Sequence, residues 1–265
     1  MVNDNVVDKA AIEFKQQKMC HRLRRYTRTH IHLIQGYNML LGKGIMINWN
    51  NVAPEHRPAY DAWHCHEHMV GRLKIPGFMR GRRYIAHQAH QARRNFLTMY
   101  EVADLSVLTG ADYLAKANAP SDLTLRTTPL VRDSIRGLAR VRMSLGLGTG
   151  GCALTLRFDP LQGREQTLEH YLVDSALPAI AQRVDIAGAH LIVADRDASS
   201  MTPVERQGRP TTLPNWIVLV EGFTFAAVSR AADAVLSDTQ LTAQGCAPGM
   251  ARDSYSLQFM QLASA

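Results

Sequence analysis

The chain has 265 residues, of which 46% are hydrophobic and 20% charged, enough for a real core and unlike the composition of a disordered segment. No stretch approaches the roughly 18 uninterrupted apolar residues of a membrane span, and the basic N-terminal region lacks the apolar run and cleavage site of a secretory signal. The net charge of +7 is concentrated before residue 40, where Lys9, Lys15, Lys18, Arg22, Arg24, Arg25 and Arg28 face only Asp4, Asp8 and Glu13.

Residues 1–42 read as a basic extension, better explained as a solvated tail than as a nucleic-acid or membrane contact. Met39 is an alternative start, because regular patterning begins just after it. Gly44 to Asn50 predicts a strand, and Pro54 opens a helix running to about Leu73. After the break at Pro76-Gly77, Phe78–Ala86 and Asn95–Val102 read as strands joined by a polar loop that includes His87 and His90. Asp104 is placed to cap a helix through Ala117. Leu138–Leu145 alternates apolar and polar residues as a half-buried strand does.

The glycine-rich joint Gly146–Gly151 lacks the Lys-Ser/Thr of a phosphate-binding loop and reads as a linker. Beyond it the order recurs: strand Cys152–Phe158, helix Arg164–Val184, strand Ala189–Ala194, a polar loop or lid over Asp197–Pro214, strand Trp216–Val220, helix Thr224–Leu236 and strand Tyr255–Met260. Asn95–Val102 (NFLTMYEV) is echoed by Asn215–Gly222 (NWIVLVEG). A unit of roughly 110 residues is too long for a solenoid repeat and suits a small α+β domain. The expected fold is therefore α+β: two β-α-β-β-α-β repeats, 43–147 and 148–265, with their open sheet faces packed into a barrel around a shared cavity. The four scattered cysteines form no framework, so buried thiols in a cytoplasmic protein are expected.

The run Trp63-His64-Cys65-His66-Glu67-His68 through Pro76-Gly77-Phe78 resembles the dimeric α/β-barrel superfamily, whose first helix often carries a Trp…Glu-His…Leu…Pro-Gly-Phe signature. The resemblance covers the organisation of about residues 44–260, here with both halves in one chain, and is closest in type to EthD-like and stress-responsive members. It departs at Val70, where many relatives have proline. The superfamily implies cofactor-free monooxygenases, isomerases, cyclases, haem-binding enzymes or stress proteins. It points to Glu67 and His68 as the site pair. In the second repeat Asp174, Ser175 and Ala176 stand where the first has His66, Glu67 and His68, so the first repeat is expected to supply the titratable groups.

Three histidines and a glutamate within five residues can exchange protons near neutral pH. A helical wheel sets His66 with Ala62, Met69 and Leu73 on the apolar arc. It puts His64 and His68 on one flank, with Glu67 at its edge near Tyr60 and Trp63. One reading is general acid/base catalysis by His68 or His66, oriented by Glu67, on a small hydrophobic or aromatic carbonyl compound. In that reading Asn48, Trp49, Trp63, His64, Tyr84 and Tyr100 shape the pocket. No metal and no organic cofactor are expected. Zinc held by His64 and His68 is a weaker alternative because the HExxH pattern is absent, and haem is another. A purely structural role for the histidines is the competing explanation.

Arg80, Arg82 and Arg83 either hold a carboxylate substrate or keep an exposed edge strand soluble. The function expected is isomerase, cyclase or lyase chemistry; the alternatives are an oxygenase of the same superfamily or a non-catalytic binding protein. A homodimer is the default assembly.

Overall fold

The computed structural model describes residues 39–87, 94–201, 203–206 and 215–264. The basic extension up to residue 38 and the loop histidine His90 lie outside them. Two β-α-β-β-α-β units follow one another. The first comprises β1 (Gly44–Val52), α1, β2 (Phe78–Ala86), β3 (Phe96–Val102), α2 (Ala111–Asn118), α3 (Asp122–Thr127) and β4 (Val131–Gly146). Here α1 denotes the two segments Arg57–Trp63 and Met69–Leu73 with the π-helical turn His64–His68 between them.

The second unit comprises β5 (Cys152–Phe158), α4, β6 (Ile186–Ala194), a short α5 (Arg196–Ser200), β7 (Trp216–Gly222), α6 (Phe225–Val235), α7 (Asp238–Ala243) and β8 (Ala251–Leu262). Helix α4 repeats the construction of α1: Glu165–Tyr171 and Leu177–Ala181 flank a π-helical turn, Leu172–Ala176.

The sheets run β4-β1-β3-β2 and β8-β5-β7-β6 and join end to end as a closed eight-stranded barrel. The joints explain why β4 and β8 are longer than alternation predicts. The first part of β4 pairs with β1 and its last part, from Ala139, with β6. The start of β8 pairs with β5, and its second half continues along β2. Closure removes sheet edges altogether. The edge-strand reading of Arg80, Arg82 and Arg83 is thereby corrected: β2 is paired on both sides, and all three arginines are buried.

Side-chain alternation divides each strand between the barrel interior and the helical layer. Ile45, Ile47 and Trp49 point inward with Leu97 and Met99, meeting Tyr84, Ile192, Ile217, Leu219 and Tyr255 in one core that draws on both repeats. Among the described residues this core occupies the space where a cavity between the sheets is expected. Trp49 and Tyr84 belong to that core: Trp49 lies under the Arg157 guanidinium at 4.7 Å, and Tyr84 accepts a hydrogen bond from Arg82.

Beside them Arg82 sits at contact distance from two buried carboxylates, Glu101 at 2.8 Å and Glu221 at 2.7 Å, one from each repeat. Burial alone would raise the Glu221 carboxyl, yet Arg82 and His190 hold it at about 2.

Local chemistry explains most helix boundaries. Ser121, Thr224 and Ser237 each cap a following helix through the side-chain oxygen, and Ser237 with Gln240 forms a full capping box. Asp104 caps only a 3-10 turn, Leu105–Leu108, and the helix predicted to run on from it is interrupted before restarting at Ala111. No helix among the described residues is long and apolar enough to cross a membrane.

Candidate functional site

The two repeats differ most between sheet and helices. In the second, that layer is a continuous apolar core: Leu154, Leu156 and Phe158 of β5 and Val218 and Val220 of β7 pack against Leu168, Leu172, Leu177 and Ile180 of α4. The strand registers match position for position, since Asn48 opposes Thr98 as Leu156 opposes Val218, and Met46 opposes Tyr100 as Leu154 opposes Val220. The π-helical turns also coincide, so His64 stands for Leu172 and His68 for Ala176. Where the second repeat is greasy, the first encloses a cavity of about 70 Å³ with polar walls.

Its floor is the outer face of the sheet: Asn48 and Asn50 from β1, Thr98 and Tyr100 from β3, Arg136 from β4. Its roof is α1, which contributes Tyr60, Trp63, His64, His68 and Arg72, and one side is closed by Glu205 and Arg206 from the second repeat. The π-helical turn explains which histidines enter. The Met69 amide donates to the carbonyl of His64 five residues back, so the buried stripe steps from Trp63 and His64 to Met69, Arg72 and Leu73.

A regular wheel is out of phase after that turn. It set His66 on the buried arc, whereas His66 is exposed and borders an open groove between α1 and α2 together with Glu67. The Glu67 carboxylate takes hydrogen bonds from Ser121 and Thr124 at the start of α3. That placement differs from the expected cavity-facing role of His66 and Glu67. Trp49 and Tyr84 are likewise outside the cavity, on the barrel side of the sheet. Asn48, Trp63, His64, His68 and Tyr100 come together in it.

His64 is fully buried, and burial, reinforced by the Arg83 guanidinium, lowers it to about 3, so its ring is neutral near pH 7. Its Nε2 lies 3.4 Å from the Tyr100 hydroxyl, and its Nδ1 has no partner among the described residues. Burial pushes the Tyr100 phenol up, which keeps it a hydrogen-bond donor. His68 is half-buried and packs on Trp63 with ring centroids 4.5 Å apart; the indole N–H of Trp63 donates to Thr124 at 3.0 Å. Asn50 accepts from Asn48 Nδ2 at 3.0 Å and from Tyr60 at 3.4 Å, leaving Asn48 Oδ1 and Asn50 Nδ2 without a partner among the described residues.

Among the described residues no three His, Cys, Asp or Glu side chains gather as a metal-binding group. The cavity volume is also far below the roughly 300–1,000 Å³ of sites for drug-sized ligands.

Sequence reasoning missed Arg72, Arg136, Asn50, Thr98 and Glu205. Strand alternation from Asn48 and Tyr100 could have found Asn50 and Thr98; the position of Glu205 depends on the second repeat folding over the first.

No family model and no curated protein matches the chain. Solved structures do. An anthrone oxidase-like protein superposes with a TM-score of 0.58 at 13% identity, covering 84% of this chain and 94% of its own. A monooxygenase-like protein from Fusobacterium nucleatum subsp. nucleatum gives 0.53 at 8% identity, covering 84% and 96% respectively. At such identities the likeness is one of fold. The chain has the dimeric α/β-barrel architecture, with two ferredoxin-like repeats fused in one polypeptide.

Proposed function

We propose that this protein is an enzyme that moves a proton at the carbon next to a carbonyl group in a small, largely apolar substrate, using its own side chains. The observation that carries the reading is the polar cavity of the first repeat set against the packed core of the second. Polar groups that replace leucine and valine at matched positions leave hydrogen-bonding atoms buried and unpartnered, a cost that a packed core avoids.

In this reading His68, at the edge of the cavity and half-buried, takes the proton and exchanges it with water. The Tyr100 hydroxyl donates to the carbonyl oxygen as negative charge develops there. His64 is too weak a base to share the first task near neutral pH; it holds Tyr100 in place. Trp63 supplies an apolar wall.

An enolate formed this way has two fates. Reprotonation at a different position gives an isomerase, and reaction with dioxygen gives a cofactor-free oxygenase. The second is favoured by the names of the proteins of like fold, an anthrone oxidase-like and a monooxygenase-like protein.

Deuterium exchange at the activated carbon of small aryl ketones, followed by NMR in D2O without oxygen, tests the shared first step. Oxygen uptake in the same mixture under air then separates the two fates. Neither exchange nor uptake with any ketone, alongside intact ligand binding, would leave a binding protein and overturn the enzymatic reading.

A further inference from the structure

Two buried guanidiniums, of Arg72 and Arg136, line the cavity, and among the described lining residues the carboxylate is that of Glu205. Arg72 is 2% exposed and Arg136 4%. Both engage Tyr113, Arg72 lying 5.0 Å over its ring and Arg136 donating to its hydroxyl at 2.9 Å. Among the described residues Arg136 otherwise meets the sulfur of Met46 and has no carboxylate in ion-pair reach. Arg72 pairs with Glu205 through Nη2 alone among the described residues, and its Nε and Nη1 are buried without partners there. A guanidinium is strongest when two of its N–H groups meet one carboxylate in parallel, and here the fork is half used.

Glu205 reaches this arginine from the other repeat. It lies on a 3-10 turn, Val204–Arg206, fixed to the end of α2 by the Val204 amide donating to Asn118 at 3.0 Å. The turn closes a cavity about half the size of the ~150 Å³ that admits a benzene ring. An aromatic substrate therefore fits only when that wall moves.

On these grounds we infer that Glu205 is a built-in stand-in for the substrate's own carboxylate. The substrates are small aromatic acids whose carboxylate takes both N–H groups of the Arg72 fork and displaces Glu205, and that displacement also enlarges the cavity. This rests on the reading of the cavity as the substrate site and adds the substrate's charge to it. The exchange is self-consistent electrostatically: Arg72 is never left buried without an anion, and a neutral analogue offers nothing to replace Glu205.

The test is calorimetric titration of the full chain with benzoate and with methyl benzoate. Benzoate is expected to bind and the ester not. Glu205→Gln, which removes the internal competitor, should tighten benzoate about tenfold and make its stabilisation of the fold against heat larger than in the parent. Arg72→Gln should abolish binding. Equal affinity for acid and ester, or Glu205→Gln binding benzoate no more tightly than the parent, would overturn the inference; should Arg72→Gln fail to fold, the Glu205→Gln comparison still decides.

The two readings fail separately. Ketone exchange with no preference for acids would keep the chemistry and sink the anion site. Benzoate binding through Arg72 without proton exchange would do the reverse.

Discussion

Replacing His64 by leucine, the residue that the second repeat carries at the matching position 172, probes the cavity through the pH dependence of stability. The native ring is held at about 3 against an ordinary value of 6.5. As pH falls below 6.5, the unfolded chain gains a proton at His64 that the folded chain refuses, so stability drains away on the acid side and is complete only above that value. Each pH unit below it costs about 1.4 kcal/mol, or about 3 kcal/mol at pH 4.

His64→Leu lacks this term while every other titrating group is shared. Urea unfolding followed by tryptophan fluorescence from pH 4 to 8 should therefore show the variant losing about 3 kcal/mol less than the parent between pH 7 and pH 4. Any packing mismatch of leucine adds an offset that does not vary with pH. Parallel curves would refute the reasoning, because they would mean that native His64 protonates as it does in water.

Exchange at the activated carbon should fall about 10²–10⁴-fold in His68→Ala and stay unchanged in His66→Ala, measured by NMR in D2O; equal losses would refute the assignment from the π-helical turn. Arg82→Met leaves Glu221 buried without its arginine, while Glu101 keeps its pair with Arg80, and should cost about 3–5 kcal/mol in chemical denaturation. Gly146→Ala should destabilise by about 2 kcal/mol or more, since its φ is +137° and a Cβ there would lie 2.2 Å from the Ala187 carbonyl oxygen. Gly148→Ala, with open space around it, should melt like the parent, and the pair together tests the tight turn into the joint between repeats.

The repeated order of elements, the linker at Gly146–Gly151 and the strand faces were legible because they rest on short-range signals. Alternation groups Trp49 with Ile45 and Ile47, and Tyr100 with Phe96 and Thr98, and the structure keeps both groupings. The sequence match of His66, Glu67 and His68 to Asp174, Ser175 and Ala176 agrees with the coincidence of the two π-helical turns. Which face meets which layer was not legible. An apolar strand face looks the same whether it fills a barrel or a sheet–helix core, so alternation alone does not distinguish Trp49 and Tyr84, which pack inside the barrel, from residues that line a cavity.

Two further features needed the third dimension. A π-helical turn shifts the phase of a helix by about one residue, and no periodicity within α1 announces it; this keeps His66 out of the cavity, while His64, expected to shape the pocket, lines it. The pairing of Arg72 with Glu205 joins residues 133 positions apart, and that of Arg82 with Glu221 spans 139. Local sequence dictates the repeats because capping, turn chemistry and alternation act over a few residues. Closure of the barrel brings distant charges together, and that long-range juxtaposition set the chemistry of the cavity.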